Sequence, residues 1–399
     1  MTDLNPPSYT AVSYTGTKTE IFRLALVTGL LSIVTLGIYR FWAKTRMRQH
    51  IWGATRVGQD GFEYTGTGLE KLIGFLIALV VLAVYLAVVN LGFFALGLRF
   101  VSRPTNDAEV VAQLGFIYAN LFALLPLIYF AQYRAMRYRL ARTRFRGIRF
   151  GMESAAAGYV WRALLLTLIT ALSLGLLYPL MSFRLDKYMT DRAWYGDARF
   201  EQSGRWTALY RYMIPFAAGV VVMFGGIALG AITKGGTLVT VLIFTGVATF
   251  YFGLIYYPIR AAAYLTSHRV LGGQIRFTAN PSVWRIIGIL IGGGIAITVI
   301  ALITFGLPAW LFGQTLRTGG ISQLSGPLGF GVALGIYLVG LVFFSALALA
   351  WITQPLLCHV LGTITVLNIE ATDHIHQRAA DKGADAEGFA DALDVGAAF

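Results

Sequence analysis

Few stretches of this chain bring together the side chains that a catalytic or metal site needs. Residues 373–376 read Asp-His-Ile-His, and a carboxylate beside two alternating imidazoles supplies up to three metal ligands. No further His or Cys cluster completes such a set, and the sequence has no Gly-Lys-Ser or Gly-Lys-Thr phosphate loop. The single cysteine, Cys358, stands in an apolar run and can form no internal disulfide. The sequence therefore predicts no metal, no cofactor and no enzyme.

Polar residues inside the apolar runs are almost all amides. Proteins that move protons or ions inside a membrane place acids, bases or histidines within their spans, where burial is costly. The polar residues in the runs here are Asn90, Asn120, Gln132, Gln314 and Gln354, with Arg162 near the start of one run. Amides in such places usually form hydrogen bonds between helices. We therefore expect no intramembrane proton relay.

The composition indicates that the bilayer is the solvent of this chain. Charged residues make up 13% and the apolar set 57% of the sequence, whereas soluble domains have roughly 25% and 45–50%. The uncharged runs long enough to cross hydrocarbon, about 20 residues, are 72–98, 110–133, 163–183, 212–233, 235–259, 286–316 and 328–357. Residues 24–39 form a shorter run, ~24 Å as a helix against a core of ~30 Å. The sequence predicts an all-α polytopic membrane protein with about six to eight membrane segments.

Basic residues cluster between these runs. Of the 32 Lys and Arg residues, 22 lie in 40–56, 134–149, 184–211 and 260–285. Such clusters mark cytoplasmic loops, where anionic lipid headgroups also attract them. We therefore expect an inner-membrane protein with lipid bilayer and headgroups as partners, and no nucleic acid. Residues 370–399 hold seven acids and two bases, so we expect an acidic cytoplasmic tail.

A short pattern recurs in the basic regions. The four copies, which we call the cassettes, are TRVGQDGFEYTG (55–66), TRFRGIRFGMES (143–154), DRAWYGDARFEQSG (191–204) and HRVLGGQIRFTANPS (268–282). Alternating residues on both sides of a Gly, followed by Ser, Thr or Asn before an apolar run, are typical of a β-hairpin and a helix N-cap. The sequence thus predicts internal repeats with short cytoplasmic β-hairpins.

Two segments, 21–39 and 160–183, leave the topology open. If both re-enter the membrane and leave it on the cytoplasmic side, all four cassettes are cytoplasmic. If both span it, the first two cassettes are cytoplasmic and the last two are external. We favour re-entrant segments because they agree with the basic charges and with the short first run, in which Gly37 would break the helix.

Several strings of the sequence are similar to one known family. These are Tyr-Thr-Gly-Thr at 14–17, Thr-Leu-Gly-Ile-Tyr-Arg-Phe-Trp at 35–42 and Phe-Glu-Tyr-Thr-Gly at 62–66. With them the chain resembles the YjgN family of bacterial inner-membrane proteins, a family of unknown function. The resemblance implies a bacterial inner-membrane location and repeated multi-span segments over the whole length. It supplies no catalytic residues, and later copies of the second string lack the residue equivalent to Trp42.

The expected organisation has three parts. Residues 1–13 form a disordered N-terminus, and MTDLNPP lacks the basic head and cleavage site of a removable signal peptide. Residues 14–369 form a repeated membrane domain, with repeats of about 14–134, 135–260 and 261–369. Residues 370–399 form the acidic tail.

The leading functional hypothesis is passage or binding of a small or lipid-like solute. Arg side chains of the basic regions would contact anions or headgroups by charge and stacking, or else only anchor the protein at the interface. The residues for these contacts are Arg46, Arg48, Arg144, Arg149, Arg199 and Arg276. Helix breaks would line a route, and the candidates are Gly37, Pro126, Pro215, Pro308 and Pro355. The alternative is a membrane scaffold or accessory subunit that binds a second copy or another protein through the cassettes and the tail.

Overall fold

The computed structural model describes residues 8–98, 100, 105–306 and 327–379. Most of these residues are helical. The helices are α1 (Lys18–Val34), α2 (Arg40–Ala54), α3 (Gly68–Ala95), α4 (Asp107–Ala141), α5 (Ala156–Leu172), α6 (Tyr178–Thr190), α7 (Tyr210–Thr233), α8 (Thr237–Ser267), α9 (Val283–Ala301), α10 (Pro327–Ala348) and α11 (Gln354–Leu361). The strands are β1 (Tyr9–Tyr14), β2 (Thr55–Val57), β3 (Asp60–Tyr64), β4 (Thr143–Phe145), β5 (Ile148–Met152), β6 (Ala193–Tyr195), β7 (Ala198–Gln202), β8 (Arg269–Leu271), β9 (Ile275–Ala279) and β10 (Ile364–Leu367). Residues Leu302–Gly306 and Leu349–Thr353 are π-helical.

Within the described residues, six helical segments are long and apolar enough to cross a membrane. They are Gly68–Ala95, Asp107–Ala141, Trp206–Thr233, Thr237–Ser267, Val283–Gly306 and Gly331–Leu361. The predicted polytopic helical architecture is thus confirmed. The uncharged run 163–183 is long enough for one span but does not form it, because α5 ends at Leu172 and a turn separates it from α6. Re-entry of this segment stays a prediction. Leu174 and Gly175 have φ of 53° and 84° in that turn, a left-handed backbone that ends a helix.

Contacts divide the chain into two units. The first unit comprises Met1–Glu63 and Ser203–Asp373, and the second comprises Tyr64–Gln202 and His374–Phe399. The sequence predicts one repeated membrane domain over 14–369 instead. The boundaries of its three repeats stay a prediction.

The first unit holds a sheet in the order β3, β2, β1, β10, β9, β8, in which every neighbouring pair is antiparallel. Strand β1 lies between the two halves of this sheet, with Tyr14 opposite Thr55 and Tyr9 opposite Leu367. Part of the segment expected to be disordered, 1–13, therefore forms a strand. The sequence predicts the hairpins β2–β3 and β8–β9 but not β1 or β10, whose partners are distant in sequence.

The second unit holds four antiparallel strands in the order β4, β5, β6, β7. Each of the four cassettes in the chain thus forms an antiparallel hairpin, as its pattern predicts. The residue that begins each turn has a positive φ, and these residues are Gly58, Arg146, Gly196 and Gly272. Three of the turns have two residues, and two-residue hairpin turns that fit the strand twist need this backbone conformation at their first residue, whereas the β8–β9 turn has three residues. The recurrent Gly of the cassettes follows from that need.

Four helix pairs are closed where they meet the strands. In each pair, the N–H of the residue after the incoming strand donates to the carbonyl of the residue before the outgoing strand. In the first unit these bonds are Thr15 to Ala54 (2.9 Å) and Ser203 to His268 (2.9 Å). In the second unit they are Thr65 to Arg142 (2.8 Å) and Glu153 to Arg192 (3.1 Å). Each pair therefore begins and ends at the same place.

The Tyr-Thr-Gly-Thr string explains two of these closures. Thr15 and Thr65 donate both the backbone N–H and the side-chain hydroxyl to the same carbonyl. The Tyr ring folds over the Gly, since a Cβ on Gly16 would lie 2.5 Å from the Tyr14 hydroxyl. The second Thr of each string caps the next helix by accepting the N–H of Glu20 or Glu70.

The cap of α1 is reciprocal. Thr17 accepts from the Glu20 N–H, and the Thr17 N–H donates to the Glu20 carboxylate at 3.0 Å. This arrangement is a capping box. The hydrogen bonds from Thr17, the backbone N–H first, hold the pKa of Glu20 below its ordinary value.

Helices α7 and α8 of the first unit pack closely through glycines. A Cβ added to Gly219 of α7 would lie 2.3 Å from the backbone N of Phe250, and one on Gly246 of α8 would lie 2.4 Å from that of Met223. Small residues at such contacts let membrane helices approach backbone to backbone.

We predict that Gly219→Ala destabilises the protein by about 1–3 kcal/mol, because its methyl group meets backbone that cannot move aside. Gly225→Ala is the matched control on the same helix, since nothing lies within 4 Å of its added Cβ. Both changes raise helix propensity equally. Thermal unfolding in detergent measures the difference, and equal melting temperatures for the two variants would contradict the close packing.

Candidate functional site

The second unit contains a groove along the helix pair α5 and α6. The pair is antiparallel, because Met152 before it is opposite Ala193 after it and Glu153 bonds to Arg192. The groove has a volume of about 470 Å³. Its lining residues are Arg162, Leu165, Leu166, Leu180, Arg184, Lys187, Tyr188, Asp191 and Arg192. Four cationic side chains thus face one carboxylate in a groove that also has three leucines.

Tyr188 lies at the centre of the cationic part. The guanidinium carbon of Arg192 lies 3.6 Å from the ring centroid of Tyr188, and that of Arg162 lies 4.9 Å from it. Both distances fall within the range of cation–π attraction. The Tyr188 hydroxyl donates to the Ala155 carbonyl at 3.0 Å. The Tyr188 ring thus contacts two guanidinium groups of like charge.

Tyrosines of the second unit fix that ring from behind. Tyr133 and Tyr159 are almost fully buried, and their ring centroids lie 6.2 and 5.9 Å from that of Tyr188. The Tyr133 hydroxyl donates to the Glu153 carbonyl at 2.8 Å. Their aromatic contacts and hydrogen bonds leave little freedom for the floor of the groove.

The cations of the groove differ in what they already bind. Lys187 forms an ion pair with Asp191 at 2.9 Å, and Arg192 lies 3.8 Å from the Glu153 carboxylate. Arg162 donates to the Gly158 carbonyl at 3.0 Å, although a guanidinium has five N–H donors. Within the described part of the chain, Arg184 has no hydrogen bond or ion pair, and it is exposed. Arg162 and Arg184 therefore have donors that a ligand can use.

Polarity changes along the groove. Leu180 precedes Arg184 by four residues, and Leu165 and Leu166 follow Arg162 by three and four. At the helical rise, the leucines lie ~5–6 Å closer to the α5–α6 turn than the two arginines. Lys187 and Arg192 lie towards the strand end. The groove is thus cationic near the strands and apolar near the turn.

The structure places the predicted Arg residues of the second unit outside the groove. Arg144 and Arg149 face each other across the β4–β5 hairpin. Arg199 donates to the Asp191 carbonyl at 2.5 Å and lies 3.8 Å from Glu153. Their contact with an anion or headgroup stays a prediction.

In the first unit, two of the predicted Arg residues are on α2 and one is on β9. Arg46 of α2 lies over the Tyr39 ring at 5.6 Å. Arg48 is 5% exposed, so a headgroup cannot reach it without a rearrangement. Arg276 is on β9, opposite Leu367. Contact of these residues with an anion or headgroup stays a prediction.

The predicted helix breaks also have separate places. Gly37 lies in the turn between α1 and α2 with φ of 90°. Pro126 and Pro215 are inside α4 and α7, and Pro355 is in the first turn of α11. Pro308 lies outside the described residues. A route along these positions stays a prediction.

The start of the tail docks on the second unit. The His376 N–H donates to the Asp197 carboxylate at 3.0 Å, and the Asp197 N–H donates to the His376 carbonyl at 2.9 Å. The Arg149 N–H donates to the Gln377 side chain at 2.8 Å. Among the described residues, no group of three His, Cys, Asp or Glu side chains can hold a metal ion.

The groove residues are not predicted as a set. The signal was present, because Arg184, Lys187, Tyr188 and Asp191 recur at intervals of three and four residues and so share one helix face. Arg162 was noticed only as a base in an apolar run. Its approach to Tyr188 depends on the turn that folds α5 back against α6.

These features define a class of protein. In the part of the chain that the structure describes, six helices have membrane-spanning length and a shorter helix pair carries a basic and apolar groove, so this is a multi-pass integral membrane protein. A family model described as bacterial protein of unknown function, DUF898, matches residues 9–392. The chain therefore belongs to the DUF898 family.

Three relatives support the location. The chain is 27% identical over 176 residues to the inner membrane protein YjgN of Escherichia coli O157:H7, a match that covers 44% of the chain and 39% of the relative. The proteins of that name from Escherichia coli K12 and Salmonella typhimurium are each 24% identical, over 44% and 42% of the chain. The matches span only 38–39% of the length of these relatives. No solved structure matches.

Together, the relatives and the apolar helices confirm the predicted location in the bacterial inner membrane and the resemblance to the YjgN family. The matched portion is too short to carry over any activity.

We predict that Tyr188→Leu lowers the free energy of unfolding by about 2 kcal/mol more than Tyr188→Phe does. Phe keeps the ring that contacts Tyr133, Tyr159 and the two guanidinium groups, and loses one hydrogen bond of about 1 kcal/mol. Leu loses the ring as well. Chemical or thermal unfolding of both variants in detergent measures the difference. Equal stabilities would show that the ring does not organise the groove.

Proposed function

We propose that this protein binds an anionic, lipid-like solute in the groove between α5 and α6. The acidic group of the solute lies beside Arg162 and Arg184, and its apolar part follows Leu165, Leu166 and Leu180. The observation that carries the proposal is the polarity of the groove, which is cationic towards the strands and apolar towards the turn. An amphiphile with one acidic end has the same polarity.

Charge favours an anion. Because Lys187 is neutralised by Asp191, and Arg192 shares Glu153 with Arg199, the groove keeps an excess of positive charge at Arg162 and Arg184. Guanidinium groups form paired hydrogen bonds with phosphate and carboxylate oxygens. A basic side chain near an anionic membrane surface contributes about 1 kcal/mol of attraction even without a specific contact.

The groove supports binding more than passage. Tyr133 and Tyr159 pack behind Tyr188 and are almost fully buried, so the floor of the groove is filled by aromatic rings. A route through the protein would need these rings to move. Passage of the bound solute therefore remains a further hypothesis, in which the helix breaks take part.

In this proposal, the role of the cassettes is to organise the helix pairs. Four helix pairs close by an equivalent hydrogen bond at their strand end, a recurrence that supports an internal repeat. Because the four hairpins together have an excess of Arg, we infer that they lie on the cytoplasmic side with the start of the tail.

A membrane scaffold or accessory subunit is the second candidate. The observation that favours it is the docking of residues 374–378 on the β6–β7 hairpin, where Arg378 lies over the Trp194 ring at 4.7 Å. A tail held at this hairpin would present its acids to another protein.

We predict that the purified full chain in detergent binds dihexanoyl phosphatidic acid more tightly than dihexanoyl phosphatidylcholine. We expect Arg162→Gln with Arg184→Gln to weaken phosphatidic acid binding about tenfold or more, because hydrogen bonds to charged groups contribute about 1.5–3 kcal/mol and 1.4 kcal/mol is a factor of ten. Isothermal titration calorimetry measures these affinities. Arg285→Gln is the control, since it removes one exposed charge at the start of α9 in the other unit.

Two results would contradict the proposal. If the double variant and Arg285→Gln bind phosphatidic acid equally well, the groove is not the site. If inorganic phosphate binds as tightly as phosphatidic acid, the apolar end of the groove contributes nothing and the solute is not lipid-like.

A further inference from the structure

We propose that the helix pairs α1–α2 and α5–α6 are re-entrant hairpins whose turns are in contact with lipid acyl chains inside the membrane. Each pair would enter the bilayer from the side of its own strands and leave on that side. The inference concerns the turns and does not depend on the ligand of the groove.

The ends of each pair show that the chain returns. In α1–α2, the Thr15 N–H bonds to the Ala54 carbonyl, and β1 pairs with β2 directly beyond it. In α5–α6, Glu153 bonds to Arg192 in the same way, and β5 pairs with β6. A single crossing of the membrane would put the two ends on opposite sides. These contacts exclude a full span for either pair as it is folded here.

Both turns pair their own backbone N–H groups internally. In hydrocarbon an unpaired N–H or C=O costs several kcal/mol, so a non-helical turn must bond internally. Six consecutive N–H groups do so in each turn. Those of Thr35, Leu36, Gly37, Ile38, Tyr39 and Arg40 donate to Leu31 O, Ile33 O, Ser32 O, Thr35 O, Thr35 Oγ1 and Gly37 O. Those of Ser173, Leu174, Gly175, Leu176, Leu177 and Tyr178 donate to Ile169 O, Ala171 O, Thr170 O, Ser173 O, Ser173 Oγ and Gly175 O.

The two turns are equivalent residue by residue. Each N–H bonds to the same relative position, and Thr35 and Ser173 supply the one side-chain acceptor. Leu36 and Leu174 have φ of 51° and 53°, and the glycines after them have 90° and 84°. Gly is suited to this conformation, whereas Leu is strained there. A strained Leu kept at both turns indicates that an apolar side chain is needed at that position.

The side chains that the turns present are apolar and uncovered. Leu36 is 95% exposed and Leu174 is 93% exposed. The other exposed apolar residues beside them are Val34 and Ile38 in the first pair and Leu172 and Leu176 in the second. In the described residues, the spanning helices show the same exposed Leu, Ile, Val and Phe side chains. Because the turns share this exposed apolar surface with helices of membrane-spanning length, the partner that we assign to them is lipid acyl chains.

Length and charge set the depth of each turn. Ten residues of α5 follow Arg162, a rise of ~15 Å, which is half of the ~30 Å hydrocarbon core. On α6, Arg184 follows Tyr178 by only six residues, a rise of ~9 Å, so the α5–α6 turn lies ~9–15 Å beyond the two arginines, within the near half of the hydrocarbon core. Arg40 follows the other turn closely, and a long Arg side chain reaches back to headgroups only over a short distance. The α1–α2 turn is therefore shallower.

The test is made on the full chain in nanodiscs, with Cys358→Ser as background and single cysteines labelled with an environment-sensitive fluorophore. We expect a label at Leu174→Cys to be quenched strongly by nitroxides attached deep on lipid acyl chains and weakly by aqueous iodide. We expect a label at Leu36→Cys to be quenched by acyl-chain nitroxides near the headgroup. Gln59→Cys, in the β2–β3 turn, is the water-exposed control.

A second measurement uses a membrane-impermeant maleimide added to either side of oriented vesicles. Lys234→Cys, in the turn between α7 and α8, should react from the side opposite to Gln59→Cys, and Leu174→Cys should react from neither. If the maleimide reaches Leu174→Cys from the same side as it reaches Lys234→Cys, the helix pair α5–α6 spans the membrane and the proposal is wrong. It is also wrong if iodide quenches the Leu174 label as it does the Gln59 label, which indicates water, or if no quencher reaches it, which indicates a protein contact. If Cys358→Ser does not fold, the same labels are compared in the native background after subtraction of the Cys358 signal.

Discussion

One backbone hydrogen bond recurs at the base of four helix pairs, and much of the architecture depends on it. It joins the N–H of the residue after the incoming strand to the carbonyl of the residue before the outgoing strand. In a membrane, backbone groups that leave a helix need a partner because lipid supplies none. The short strands and these closures supply such partners where the helices end. A helix pair that is closed in this way returns to its starting side, whether it is long, as α7–α8, or short, as α5–α6.

The sequence predicts the local parts of this design well. The glycine of each cassette marks a turn with positive φ, and Thr17, Thr67 and Ser282 cap helices as their positions indicate. These features depend on neighbours within a few residues. Strands β1 and β10 could not be predicted in the same way, because their partners lie tens to hundreds of residues away. The uncharged run 163–183 suggested a span for a related reason, since hydropathy does not detect a left-handed turn at Leu174.

The candidate site is harder to predict because charge alone does not reveal its use. Arg199 and Arg48 belong to the basic clusters. However, Arg199 donates to the Asp191 carbonyl and lies near the Glu153 carboxylate, and Arg48 is buried. Basic residues at membrane interfaces often only anchor and orient the protein. Arg162 and Arg184 differ because they line a groove and have donors that the described residues do not use. That distinction requires the fold of α5 against α6, which brings Arg162 to the Tyr188 ring and into one groove with Arg184.

The groove and the turn of α5–α6 together determine how deep this helix pair lies in the membrane. An apolar turn draws the pair into the membrane, whereas Arg162 and Arg184 oppose deep insertion, because a cation within hydrocarbon is costly. The balance would hold the two arginines near the headgroups while Leu172, Leu174 and Leu176 lie among the acyl chains. At that depth an anionic amphiphile in the groove would keep its own orientation in the bilayer, with its acidic end at the surface. Binding would then require no reorientation of the solute, only its lateral movement into the groove.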